Sequence, residues 1–388
     1  MTTRLRSFKI PAFILTAILL KFYVADKLLE TTSWWLQAFV IIGIFVVGFG
    51  YIFRGTADVI EETTDVLKDR TGLAGGLLQA FGTAFPDMII GIVAAVLSLQ
   101  VRSTDPARAI NLAILAAAAT FGSNIYNILH AAWCVWRQNL ADALGKRVPM
   151  LPLVASFGVV RPLSEHKTKP SSREMAGAIR ILAALTLLTS FVAVSMVLFG
   201  KVSGGIPGIT GDIYELTLPV GIVLLALCLA ILYIFRKNQR PESPLEDVLR
   251  EERFYEKQST PRIWTDLILS GIAILFVAEA MVRAMEAFSL LVHMPFVITG
   301  VLAGIIGCFG EMIIVHNFSI HPKGRIGDAI VGVAMDNIVT TLGASLVAIM
   351  GGIFLGGDSL ILIFIIILAG NTILIEQISE LKSKLPRV

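Results

Sequence analysis

Charged residues are scarce in this sequence. Lys, Arg, Asp and Glu together make up 16% of the 388 residues, whereas soluble domains carry roughly 25%. Hydrophobic residues make up 55%, and they fall in blocks of about 20 or more, the length at which an α-helix spans a bilayer. We therefore expect an integral membrane protein of a cell or organellar membrane. Its partner is the lipid bilayer, and the composition argues against a soluble or nucleic-acid-binding protein.

Cysteine is also scarce, and the three residues are Cys134, Cys228 and Cys308. They form no spaced motif, so the sequence predicts neither a disulfide framework nor a zinc site. No cofactor is expected. The first residues lack a small-residue cleavage site, so the apolar run that follows is interpreted as a first span and not as a removable signal.

The apolar blocks predict an all-α polytopic fold with about ten transmembrane helices. The predicted spans cover 9–29, 33–53, 72–99, 106–135, 176–200, 215–235, 264–291, 295–318, 326–353 and 355–378. Lys and Arg collect between alternate spans, and the positive-inside rule then places both termini in the cytoplasm. Residues 236–263, dense in both charges, are predicted to be a charged cytoplasmic linker.

Two helix pairs resemble each other along the chain. Residues 72–135 and 295–353 each begin with a Gly-rich helix that carries one acid, Asp87 or Glu311, followed by Met-Ile-Ile. Ten spans divide into two sets of five, 1–210 and 211–388. Because five is odd, the second set enters the membrane upside down. We therefore expect two inverted five-helix repeats with broken helices at mid-membrane, an arrangement typical of secondary transporters.

The two acids determine the predicted chemistry. Asp87 and Glu311 each lie about 15 residues into a span, near mid-membrane at ~1.5 Å per residue. A carboxylate at this depth needs a cavity, a cation or a partner. Inversion brings the two acids face to face, and together they supply up to four of the roughly six to eight oxygens that Ca²⁺ takes. The sequence therefore predicts a cation site.

Neighbouring groups can supply the remaining oxygens. Pro86 lacks an N–H and leaves the Gly82 carbonyl without a donor, which predicts a helix break that presents carbonyls to an ion. The other candidate ligands are Thr83, Ser123, Asn127, Cys308, Asp336, Asn337 and Thr341. A purely structural role stays equally open for Thr83 and Cys308. His130 and His316 lie on the same helices and are candidates for carrying a coupling proton.

The motifs GTAFPD at 82–87 and GSNIYNIL at 122–129 resemble the first α-repeat of the Ca²⁺:cation antiporter superfamily, which includes sodium/calcium and calcium/proton exchangers. Residues 307–343 resemble the second α-repeat less closely. The resemblance implies an inverted-repeat antiporter that moves Ca²⁺ against Na⁺ or H⁺, with Asp87 and Glu311 as central ligands.

The chain also departs from that pattern. Ala84, Gly307 and Cys308 stand where hydroxyl residues are usual, and Asp87 replaces the usual Glu. The lost hydroxyls argue against a site for several Na⁺ and leave H⁺ coupling open through either acid or a histidine. One alignment equates Asn337 with Ser123 and Thr341 with Asn127, and it is preferred because it pairs polar residues. The alternative equates Asn337 with Asn127.

Three other functions remain open: a channel on the same scaffold, a homologue that does not transport or has altered selectivity, and an intramembrane aspartyl protease. The protease also needs two membrane carboxylates, but its G-x-G-D signature is absent. The nearest sequence, Leu355-Gly356-Gly357-Asp358, lies at a span end. The sequence therefore predicts a transporter and not an enzyme.

Overall fold

A computed structural model of the chain shows a polytopic α-helical membrane fold. It describes residues 9–29, 33–71, 77–152, 154–166, 169–202, 211–236, 254–321 and 326–385. Within these ranges, ten helical segments correspond to the ten predicted spans. By length and composition, seven helices qualify on their own as membrane spans.

The first two spans begin as α-helices and then widen into π-helical turns. Helix α1 covers Lys9–Leu19 and continues as the π-helix Leu20–Leu28. Helix α2 covers Trp34–Ile44 and continues as the π-helix Phe45–Phe53. Helix α3, Arg54–Thr71, then continues the same helix for 18 residues. The sequence predicts that the second span ends before it, at residue 53.

The remaining helices follow in chain order. They are α4 (Leu77–Val101), α5 (Pro106–Leu144), α6 (Ser172–Phe199), α7 (Leu218–Arg236), α8 (Thr260–Leu291), α9 (Phe296–Gly307), α10 (Phe309–Ile320), α11 (Ile326–Ile349) and α12 (Gly357–Ser383). Helix α5 is 39 residues long. The Asp105 side chain caps its start by accepting from the Arg108 N–H at 3.0 Å, and Gly145 in a left-handed conformation (φ 58°) ends it.

Four short strands lie in the connections between helices. Strands β1 (Val148–Leu151) and β2 (Val154–Val160) form an antiparallel hairpin after α5. Strands β3 (Ile213–Glu215) and β4 (Phe354–Gly356) pair with each other and join two distant connections. The prediction of an all-α fold holds for the membrane spans. The strands were not predicted, because segments this short show too little alternation of apolar and polar residues to be distinguished from loops.

Helix α5 is the centre of the molecule and packs against α4, α9, α11 and α12. Small residues allow the closest of these contacts. A Cβ at Gly300 of α9 would lie 2.7 Å from the Leu115 carbonyl oxygen, and one at Gly304 would lie 2.6 Å from the Ser123 nitrogen. Glycines four residues apart are typical of such backbone-to-backbone contacts between membrane helices.

Four charged side chains join the first span to α8. The Lys21 ammonium lies 2.5 Å from a Glu279 carboxylate oxygen. The Arg283 guanidinium lies 2.7 Å from Asp26 and 3.2 Å from Glu279. Two positive and two negative charges thus neutralise one another between these helices, as charges within membrane spans require.

The described end of the charged linker is docked on α3. Arg70 donates to the Gln258 carbonyl at 2.6 Å, and the Glu62 carboxylate accepts from the Tyr255 N–H at 3.0 Å. Residues 237–253, the larger part of the predicted linker, lie outside the described residues. The part that leads into α8 is therefore held on a neighbouring helix.

Candidate functional site

The helix that carries Glu311 is broken, whereas the helix that carries Asp87 is continuous. Cys308 alone separates α9 from α10 and has φ −83° and ψ 6°, three residues before Glu311. Helix α4 runs without interruption through Gly82 and Pro86, so the break expected there is corrected to a continuous helix. A proline removes one N–H, and a membrane helix tolerates this loss where neighbouring groups satisfy the backbone.

The first predicted pair contributes Ser123 and Asn127, which are buried one turn apart on α5. The Ser123 hydroxyl donates to the Thr120 carbonyl at 2.9 Å. The Asn127 amide nitrogen donates to the Asn337 side-chain oxygen at 3.3 Å. This hydrogen bond directly connects the two predicted repeats.

The second predicted pair contributes Asp336, Asn337 and Thr341, all buried on α11. The Thr341 hydroxyl donates to the Asn337 carbonyl at 2.7 Å. Because its proton is used within the helix, the hydroxyl oxygen keeps its lone pairs for a ligand. The Asn337 amide nitrogen makes no hydrogen bond to any residue that the structure describes.

Several predicted ligands are described only by their backbone. The side chains of Gly82, Thr83, Pro86, Asp87 and Glu311 lie outside the described part of the chain, although their helices α4 and α10 are described. Their places in the site therefore follow from how the helices pack. The contacts of the flanking residues establish this packing.

Helix α4 runs antiparallel to α5, to which residues 102–105 join it. A Cβ at Gly91 would lie 2.5 Å from the Thr120 hydroxyl. Residue 87 lies one turn before Gly91 on α4, and Ser123 lies about one turn after Thr120 on α5. Because the helices are antiparallel, both steps lead in the same direction. The backbone at Asp87 is therefore level with Ser123.

Helix α11 runs parallel to α4. A Cβ at Gly343 would lie 2.9 Å from the Met88 Cγ, and Gly352 makes a similar contact with α4 two turns further along. Thr341 precedes Gly343 by two residues. The Thr341 hydroxyl is therefore on the same level as the backbone at Asp87.

Helix α9 runs parallel to α5 and brings in the second acid. Gly304 packs on the Ser123 nitrogen, and Cys308 follows one turn later, level with Asn127. The buried Cys308 thiol donates to the carbonyl three residues earlier, at 3.5 Å. Glu311 lies in the first turn of α10, directly after this break.

Four segments thus meet around the Asn127–Asn337 hydrogen bond: α4, α5, the break between α9 and α10, and α11. The predicted ligands with described side chains are all buried: Ser123, Asn127, Cys308, Asp336, Asn337 and Thr341. Oxygen atoms predominate among them, which suits a hard cation. Among the residues whose side chains the structure describes, no three His, Cys, Asp or Glu side chains are close enough to hold a metal ion.

The two candidate proton carriers lie side by side on the hairpin side of this region. The His130 and His316 rings stack with centroids 6.2 Å apart, and Tyr126 stacks on the other face of His130 at 6.3 Å. His316 Nε2 lies 2.5 Å from the Phe157 carbonyl oxygen of β2.

Two buried amides were missed by the sequence analysis as site candidates. The Asn124 side-chain oxygen and both amide atoms of Asn371 in α12 have no hydrogen-bond partner among the described residues. Asn371 is fully buried. An asparagine within an apolar span was the available signal for both residues. Asn371 lies outside the two helix pairs, whereas Asn124 lies within the GSNIYNIL motif, directly after Ser123.

Two cavities lie away from the predicted ligands. One, of about 290 Å³, is an apolar groove between α2, α8 and α9. The other, of about 230 Å³, is lined by Arg102, Glu215 and the ends of α4 and α5. Burial raises the pKa of Glu215, and the nearby Arg102 charge opposes the rise.

The fold is shared with solved structures, although no family model and no curated protein matches the sequence. The H⁺/Ca²⁺ exchanger CAX matches over 98% of this chain and 89% of its own, with a TM-score of 0.56 and 12% identity. Native YfkE matches over 97% of both chains, with a TM-score of 0.50 and 13% identity. At these identities the similarity establishes the fold alone, a helix arrangement that this chain shares with CAX and YfkE.

Proposed function

We propose that the protein is a secondary active cation antiporter that exchanges Ca²⁺ for H⁺ or Na⁺ by alternating access. The observation that carries the proposal is the hydrogen bond between Asn127 and Asn337, which joins the two predicted repeats at mid-span. The fold shared with the exchanger CAX supports it. It also supports a transporter over the protease, as does the exposure of Asp358 in the first turn of α12.

In this proposal Asp87 and Glu311 neutralise the ion, and the neutral oxygens complete its shell. Helix packing brings the backbone at Asp87 level with the Ser123 and Thr341 hydroxyls, and the break before Glu311 level with Asn127. Two carboxylates with amide, hydroxyl and carbonyl oxygens supply the hard ligands that Ca²⁺ takes.

Exchange follows because both ions use the same oxygens. While Ca²⁺ occupies the two carboxylates, neither can hold a proton or Na⁺, so one ion leaves before the other binds. Alternating access then exposes the loaded site to one side of the membrane at a time. The movement of one ion down its gradient drives the other uphill.

The chemistry of the site favours H⁺ over Na⁺ as the counter-ion. Coordination of several Na⁺ needs many oxygens, and here Ala84 and Cys308 offer none from their side chains. A proton needs only a carboxylate. His130 and His316 are close to the site and remain proposed as additional proton carriers.

Uptake into proteoliposomes tests the proposal. Radioactive Ca²⁺ uptake is measured under an imposed pH gradient, under an imposed Na⁺ gradient, and with Mn²⁺, Mg²⁺ and K⁺ as competitors. We expect uptake that follows the pH gradient and is competed by Mn²⁺ more than by K⁺. Absence of uptake under either gradient would identify a non-transporting homologue. Currents that reverse at the Nernst potential of a single ion would identify a channel.

A further inference from the structure

The β1–β2 hairpin is firmly fixed to the end of α5. Trp133 Nε1 donates to the Met150 carbonyl at 3.1 Å, and the Arg137 guanidinium donates to the Pro149 carbonyl. The chain after β2 is held as well, because Gln138 donates to the Arg161 carbonyl at 2.8 Å. The hairpin is therefore rigidly attached to α5, the helix that carries Ser123 and Asn127.

The opposite strand of the hairpin touches α10 at two neighbouring points. The Phe157 carbonyl lies 2.5 Å from His316 Nε2. Gly158, with φ 97°, packs so closely on Ile320 that an added Cβ would lie 2.6 Å from the Ile320 Cδ1 and 3.4 Å from its Cβ. Glycine is needed here both for the backbone conformation and for the space.

These two points lie on the helix that begins with the second acid. Glu311 is in the first turn of α10, and His316 and Ile320 follow it on the same 12-residue helix. Helix α10 is separated from α9 by the break at Cys308. Hydrogen bonds from the Cys308 N–H to the Gly304 carbonyl and from the Met312 N–H to the Cys308 carbonyl, both 3.1 Å, still span this break. Helix α10 packs along α5 and α11, and the hairpin adds a further contact near its far end.

We propose that the β1–β2 hairpin is a latch that holds α10 against α5, with the His316–Phe157 hydrogen bond as its catch, and that the latch must open for ions to leave at this end. The proposal rests on the antiport function proposed above. His316 acts through α10 and so positions Glu311. The broad attachment to α5 and the narrow contact with α10 identify the second as the contact that opens.

A reversible cross-link tests the latch. The 3.4 Å between Ile320 Cβ and a Cβ at position 158 is close to the roughly 3.5–4.5 Å found across disulfides. In Gly158→Cys/Ile320→Cys, oxidation is expected to lower Ca²⁺ uptake at least tenfold, and reduction to restore it. Equal uptake by the oxidised and reduced protein would overturn the proposal.

Two controls isolate the link between hairpin and helix. Gly158→Cys alone carries the same backbone strain without the bond, and oxidation should leave its uptake unchanged. Val148→Cys/Val160→Cys joins two residues that face each other across β1 and β2. This bond stiffens the hairpin without tying it to α10, so it should also leave uptake unchanged. Loss of uptake in the second control would show that the hairpin itself must deform, which also contradicts a rigid latch.

A second measurement does not depend on transport. In purified Ile320→Cys, the rate of labelling by a water-soluble maleimide reports how often the latch is open. Adding His316→Phe keeps a ring beside His130 but removes the catch, and we expect labelling to become at least threefold faster. An unchanged rate would show that the hydrogen bond is no catch, even if the wild-type protein proved unable to transport.

Discussion

The two helix pairs that form the candidate site place an acid on the first helix in different ways. In the first pair, Asp87 follows a proline and α4 is continuous. In the second pair, Glu311 lies three residues after a single-residue break, and neither α9 nor α10 contains a proline. We infer from the comparison that glycine and close packing determine where the break lies. Helix α9 is pressed onto α5 through Gly304, and Gly307 ends it where a helix is intrinsically weak.

The largest effect is expected from the acids that the two pairs share. Asp87→Asn or Glu311→Gln should lower Ca²⁺ uptake by about two orders of magnitude or more, because each removes a full charge from a divalent ion in a low-dielectric site. Asp358→Asn, at an exposed helix start, is the control and should transport normally. The measurement is radioactive Ca²⁺ uptake by variants with wild-type elution profiles. If either site variant transported normally, the two pairs would not share an ion.

Close packing of the second pair can be tested with one methyl group. Gly304→Ala places a Cβ 2.6 Å from the Ser123 nitrogen, and we expect a loss of about 1–3 kcal/mol of stability from overpacking. Gly271→Ala in α8 is the matched control, since no atom lies within 4 Å of its Cβ. It should be neutral or slightly stabilising. The measurement is the melting temperature of each variant in detergent. Equal values for Gly304→Ala and Gly271→Ala would show that close packing does not cause the break.

The contact between the pairs should have an intermediate effect. Asn127→Ala and Asn337→Ala each remove one hydrogen-bond partner and one candidate ligand oxygen, and we expect roughly tenfold weaker apparent affinity for Ca²⁺. Asn139→Ala is the control, because this asparagine also lies on α5 and bonds to Gln377 of α12 at 2.9 Å, away from the site. A similar loss of affinity in all three variants would indicate a structural role only.

A smaller effect should come from returning a hydroxyl to the second pair. Cys308→Ser changes one buried atom from sulfur to oxygen at the break, and a hard cation prefers oxygen. We expect roughly threefold tighter Ca²⁺ binding, measured by isothermal titration. Cys228→Ser alters a cysteine that is equally buried in α7 and should bring no gain. Unchanged binding in the first variant would place residue 308 outside the ion shell.

The smallest effect is expected at the cavity that is lined by Arg102, the residue after α4, and by Glu215 of β3. Because burial raises the pKa of Glu215 from its ordinary 4.5, its contribution to stability is full below pH 4.5 and is lost as the pH rises through the raised value. Glu215→Gln should remove this dependence and slightly raise the melting temperature at neutral pH. The control is Asp212→Asn, because the Asp212 carboxylate pairs with exposed Lys201. This variant should keep the pH dependence of the melting temperature. If the melting temperatures of Glu215→Gln matched those of the wild type from pH 4 to 7, they would contradict the raised pKa of Glu215.

Much of the fold followed from the sequence because a bilayer demands long apolar helices. The demand ends at the membrane surface, where polarity no longer marks a helix. The helix of the second span therefore continues through Thr71 and the helix of the fourth to Leu144, beyond the predicted span ends at residues 53 and 135. The docking of residues near Tyr255 on α3 could not be predicted either, because both segments are polar and lie far apart in sequence.

The site was predictable as a set of residues but not as an arrangement. Asp87 and Glu311 could be identified because a charge within a span is costly and recurs in matched positions. The Asn127–Asn337 bond joins residues 210 positions apart, and no local pattern encodes such a distance. Pro86 was misinterpreted because a missing N–H removes one hydrogen bond, while the rest of α4 keeps its own.

The charges that connect the first span to α8 also bear on the order of assembly. Lys21 and Asp26 are synthesised roughly 250 residues before Glu279 and Arg283, a delay of roughly 10–50 s at about 5–20 residues per second. During that delay the first span carries two charged side chains, and a charge in lipid costs up to about 3 kcal/mol, most at the bilayer centre. The first span therefore settles into its final place only after the seventh span has been inserted.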